Sequence, residues 1–74
     1  MTRAESGVYL AKATLRELSR MHSSSASMCR AVATSKGALS KRTKRNLELL
    51  ASLQDKVALE LAQLAGGLLT AVDT

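Results

Sequence analysis

Seventy-four residues allow one small domain, near the lower limit for a self-sufficient core, and a net charge of +5 makes it basic. One Tyr, no Phe and no Trp leave Leu, Val, Met and Ala to build the interior, which suits packed helices better than a small barrel or sandwich. The single cysteine, Cys29, excludes an intramolecular disulfide and a cysteine-based zinc site, and no apolar run reaches the length of a signal peptide or a membrane span.

Strand-like alternation and hairpin dipeptides such as Asn-Gly are absent, so the expected class is all-α. A cytoplasmic location is the default. Residues 1–45 are rich in Arg and Ser and poor in acid, a composition shared with mitochondrial transit peptides, but the apolar pattern continues past a cleavable length. Those residues carry ten Lys/Arg against Glu5 and Glu17, whereas residues 46–74 carry Lys56 against Glu48, Asp55, Glu60 and Asp73. Halves of opposite balance are expected to lie side by side.

The first helix is expected over about residues 6–34. Thr2 or Ser6 can cap it, and Glu5 suits its first turn. Val8, Ala11, Leu15, Leu18, His22, Ser25, Cys29 and Val32 alternate in three- and four-residue steps, which marks one stripe. Ser23, Ser24, Ser25 and Ser27 weaken its middle, because their hydroxyls compete for backbone groups, so a break there is a second possibility. Met21 and Met28 flank the stripe and can fill gaps beside the serines.

Residues 35–40 form the connector. Gly37 suits a left-handed helix-ending position, with Lys36 facing the negative end of the helix dipole, and Ser40 or Thr43 can cap the next helix. That second helix is expected over about residues 41–71, unless the Gly66-Gly67 pair ends it; the pair could equally be a close-packing spot in a longer helix. Its stripe runs Leu47, Leu50, Gln54, Val57, Leu61, Leu64 and Leu68, widened by Leu49, Leu53 and Leu69.

Folding the chain back at the connector pairs residues whose numbers sum to 75 or 76. The stripes then meet as Val8 with Leu68, Ala11 with Leu64, Leu15 with Leu61, Leu18 with Val57, His22 with Gln54, Ser25 with Leu50, Cys29 with Leu47, and Val32 with Thr43. Arg16 falls near Glu60 and Arg20 near Asp55. The predicted architecture is an antiparallel, coiled-coil-like two-helix hairpin. Such a pair is too thin to bury Leu49, Leu53, Leu59 and Leu69, so dimerisation or a partner protein should complete it.

No nucleophile motif, paired catalytic carboxylates, phosphate loop or metal-ligand spacing is present, so neither an enzyme nor a cofactor is expected. His22 reads as a seam histidine hydrogen-bonded to Gln54, and Cys29 as a buried small hydrophobe. The candidate partner-binding residues are Leu49, Leu50, Leu53, Val57, Leu61, Leu64 and Leu68. Lys36, Lys41, Arg42, Lys44 and Arg45 form a basic cluster, and four of them start a helix whose dipole disfavours them. That cluster is either a solubilising tip or one that faces an anion (nucleic acid, acidic protein or lipid headgroups), and the nucleic-acid case points to a small basic nucleic-acid-binding dimer. It lacks the stacking aromatics of single-strand binders, a helix-turn-helix pattern, and the bulky anchors of a membrane-surface helix.

A helix, a connector with a glycine (SKGALS) and a Leu-rich second helix together resemble the small co-chaperones of type III secretion needle subunits. The resemblance covers the whole chain as size and pattern. It implies a two-helix protein docked on a tetratricopeptide-like chaperone, the pair keeping a needle subunit unpolymerised in the cytoplasm.

Overall fold

The computed structural model describes residues 2–35, 37 and 39–68. The fold is an all-α antiparallel hairpin of α1 (Arg3–Thr34) and α2 (Lys41–Gly67), with 55 × 14 × 11 Å extents. It is one helix thick. Its radius of gyration of 17.1 Å exceeds the about 11 Å of a compact chain this long, so both broad faces lie open.

Side-chain oxygens set the helix starts. Thr2 Oγ1 accepts from the Glu5 N–H at 3.1 Å and donates to the Glu5 carboxylate, while Ser40 Oγ accepts from the Thr43 N–H at 3.1 Å. At the end of α1 the Ser35 hydroxyl, at 2.7 Å, and the Ser35 N–H both donate to the Val32 carbonyl. These bonds occupy a carbonyl the helix leaves orphaned, and no described residue takes a positive φ. The left-handed glycine expected at Gly37 is therefore replaced by a serine cap; Lys36 lies outside the described residues. Among the described residues the α2 helix stops at Gly67, at the glycine pair, with Leu68 extended. A Cβ at Gly66 or Gly67 would meet none of the described residues within 4 Å, so the pair makes no close-packing spot among them. Residues 69–74, with Leu69 and Ala71, lie outside the described residues.

Among the described residues five are buried, and all are alanines: Ala26 and Ala33 on α1, Ala51, Ala58 and Ala65 on α2. Each set steps by seven residues, one heptad. Between them lie the half-buried Val8, Leu15, His22 and Cys29 on α1 and Leu47, Gln54, Leu61 and Leu68 on α2. A hydrogen bond fixes the register: the Ser19 hydroxyl donates to the Ala58 carbonyl at 2.7 Å. A one-carbon side chain reaches the opposite backbone only where neither helix carries a bulky residue. Stepping antiparallel from that contact sets Ala26 opposite Ala51, Lys12 opposite Ala65 and Ala33 opposite Lys44. Small layers thus alternate with large ones. Lys12 and Lys44, opposite the end alanines, are half-buried, as long side chains are when an apolar stem covers a small neighbour.

Half of the expected seam is therefore corrected. Val8, Leu15, His22, Cys29 and their partners keep their places, but Ala11, Leu18, Ser25 and Val32 do not face Leu64, Val57, Leu50 and Thr43 across it. Each helix is turned so that Lys12, Ser19, Ala26 and Ala33 meet Ala65, Ala58, Ala51 and Lys44 instead. Ser23–Ser27 remains helical, because Ala26 at the centre of the serine run is held against α2. Packing overrides propensity there.

The alanine layers set a direct test. Ala51→Leu should destabilise the hairpin by about 1–3 kcal/mol in urea unfolding, since the added carbons have no space between the helices. Ala31→Leu, on the exposed back of α1, should stay within about 0.5 kcal/mol of the parent.

Candidate protein-docking face

The bulky apolar stripe of each helix is not centred on the seam. On one side the next residues out are Leu18, Ser25 and Val32 from α1 and Leu50, Val57 and Leu64 from α2, with Met21, Met28 and Leu53 beyond them. All of these except the half-buried Ser25 are exposed, Leu53 at 61% and Met28 at 68%. Two shallow clefts run through this flank. One, of about 220 Å³, lies between the helices against Leu18, Met21, His22, Ser25 and Gln54. The other, of about 440 Å³, follows α1 along Met21, Ser24, Ser25 and Met28 and is rimmed by the Glu17–Arg20 ion pair. The small serines open these hollows and the methionines border them.

The opposite flank carries Arg16, Ser23 and Arg30 beside Glu48, Asp55 and Ala62, where Arg30 and Asp55 form an ion pair across the helices. Arg20 pairs instead with Glu17 on its own helix, so the expected Arg20–Asp55 and Arg16–Glu60 contacts are not made. Glu60, one heptad from Leu53, stands on the apolar side of α2, away from Arg16, and for Asp55 the choice of partner is directional. Side chains lean toward the N-terminus of their own helix, so in an antiparallel pair two side chains lean together only when each starts C-terminal to the level of contact. Arg30 and Asp55 satisfy that condition.

Of the residues expected to bind a partner, Leu50, Leu53, Val57 and Leu64 lie together on the apolar flank. Leu61 and Leu68 are half-buried in the seam opposite Leu15 and Val8, and Leu49 is exposed on the back of α2. Leu59 and Leu10 are likewise exposed away from the flank. Leu18, Met21, Met28 and Val32 belong to the face and are not among the expected binding residues. Their seven-residue spacings, 18 to 25 to 32 and 21 to 28, are the signal that could have found them.

His22 faces Gln54 as expected, but no hydrogen bond joins them, and Gln54 Oε1 is buried without a partner among the described residues. Cys29 is a free, half-buried thiol one heptad away. The described residues hold no group of three His, Cys, Asp or Glu side chains placed for a metal, and no helix among them is long and apolar enough to cross a membrane.

The basic residues Lys41, Arg42, Lys44 and Arg45 occupy the first turns of α2 at the connector end, and none pairs with a carboxylate among the described residues. Lys44 is partly withdrawn into the seam. No protein-family model, curated protein or solved structure matches the chain.

The observed ion pair can be separated from the expected one. A double-mutant cycle of Arg30→Ala and Asp55→Ala should give a coupling of about 0.2–1 kcal/mol that fades in molar salt, as for other half-exposed pairs. The same cycle with Arg20→Ala and Asp55→Ala should give none.

Proposed function

We propose that this chain is a non-enzymatic helical-hairpin adaptor or co-chaperone, acting in the cytoplasm, that holds a protein partner against its apolar flank. The observation that supports the reading is the turn of the two stripes. Alanine layers let the hairpin close, and eight large side chains drawn from both helices stand together on one side, in water. An exposed apolar surface that is continuous across two elements is costly to keep unless something covers it. Leu50, Leu53, Val57 and Leu64 are the α2 contribution, and α1 adds Leu18, Met21, Met28 and Val32. A co-chaperone of type III secretion needle subunits is one concrete form of this role.

A second reading rests on a separate observation. Lys41, Arg42 and Arg45 are exposed at one end of the rod with no carboxylate pairing among the described residues. A basic tip of this kind suits a small nucleic-acid-binding dimer.

Recovery of partners from the native cell on tagged protein tests the two readings. Under the docking reading, Leu53→Asp loses the bound protein, Arg42→Glu with Arg45→Glu keeps it, and raising salt changes little. The reverse pattern, binding lost steeply with salt and with the two charge reversals, belongs to nucleic acid and would displace the docking reading.

A further inference from the structure

We infer that the apolar flank is covered by a second copy of this chain, laid on it with the ends reversed to form a four-helix bundle. The inference rests on the docking reading above and names the occupant. Three observations carry it.

The first is extent. The eight bulky residues of the flank present on the order of 800 Å² to solvent, the share one partner gives to a standard interface. The hairpin is 11 Å thick, so a second one seated on this side makes an ordinary two-layer bundle.

The second is symmetry. On α1, Leu18, Met21, Ser25 and Met28 step by three, four and three residues, a pattern that reads the same in both directions about residue 23. On α2, Leu50, Leu53, Gln54 and Val57 step by three, one and three, symmetric about the bond between residues 53 and 54. The Ser19–Ala58 register places those two centres at one height. A two-fold axis through that level sets Leu18 against Met28 of the second copy, Met21 against the small Ser25, and Leu50 against Val57. It also brings Gln54 beside Gln54 of the second copy. Gln54 lines the inter-helix cleft at the level the axis passes through.

The third is charge. Lys41, Arg42, Lys44 and Arg45 cluster at the connector end against Glu48 alone, Arg30 being paired with Asp55. Two copies with ends aligned would stack these clusters. Reversing one separates them along a 55 Å rod, several screening lengths of about 10 Å in ordinary salt.

Sedimentation equilibrium from micromolar to near-millimolar protein supplies the first test, with expected mass twice 7.8 kDa. Leu53→Asp should sediment at half the wild-type mass while its circular dichroism stays helical. Orientation is read in a Cys29→Ser background. Leu50→Cys chains mixed with Val57→Cys chains should form a mixed disulfide under diamide, and Leu53→Cys chains should link to themselves. Cross-linking of Leu50→Cys to Met28→Cys instead would mean aligned ends and overturn the inference, as would a dimer insensitive to Leu53→Asp. A monomer throughout that binds an apolar dye at a site lost in Leu53→Asp overturns the second copy but leaves the docking reading standing. A monomer that binds no dye removes both.

Discussion

The close approach of two helix backbones, permitted by alanine, governs the rest of this molecule. Ala26, Ala33, Ala51, Ala58 and Ala65 are the only side chains withdrawn from water among the described residues, and Ser19 can hydrogen-bond to the Ala58 backbone because these layers are so thin. A leucine seam would have filled the hairpin with its own apolar surface and left modest flanks. Alternating alanine layers bury little, and the leucines that do not share the seam with Leu15, Leu47, Leu61 and Leu68 are pushed aside. The same choice that joins α1 to α2 therefore leaves them unfinished.

Much of the fold is legible in the sequence. The helix boundaries near the connector, the Thr2 and Ser40 caps, the antiparallel pairing and its register all follow from capping chemistry and three-four periodicity. The seam is half legible. Bulk, as the mark of an interface, selects Leu18, Val32, Leu50, Val57 and Leu64. The competing signal is the recurrence of alanine at 51, 58 and 65 and at 26 and 33, which marks close packing rather than apolar mass. Because both stripes share Val8, Leu15, His22 and Cys29, a rotation of one residue position separates the two solutions, and the register survives it. Leu50, Leu53 and Leu64, expected to contact a partner, do stand open to solvent. The α1 half of the face escapes sequence reasoning because the same residues also fit the seam. Periodicity reports which sides of a helix are apolar; it does not report whose surface meets them.

The two flanks divide the chemistry. One is apolar and hollowed by Ser24 and Ser25. The other is threaded by charge, with Arg30 and Asp55 tying the helices together where a partner could not also bury apolar area. A rod with one such face has a defined side to present, and its basic tip marks one end. Orientation and side are thus both encoded, in charge and in side-chain size.

The seven-residue recurrence of the alanines carries a geometric consequence. Straight α-helices drift by about 20° per heptad relative to such a repeat, so keeping the alanines in contact winds the pair into a left-handed coil. Across the four heptads of the hairpin that accumulates to roughly 80°. The greasy surface is consequently a strip of ribbon that curls around the rod, and a flat or straight companion would touch only part of it. Whatever seats along its full length must be twisted in the same sense.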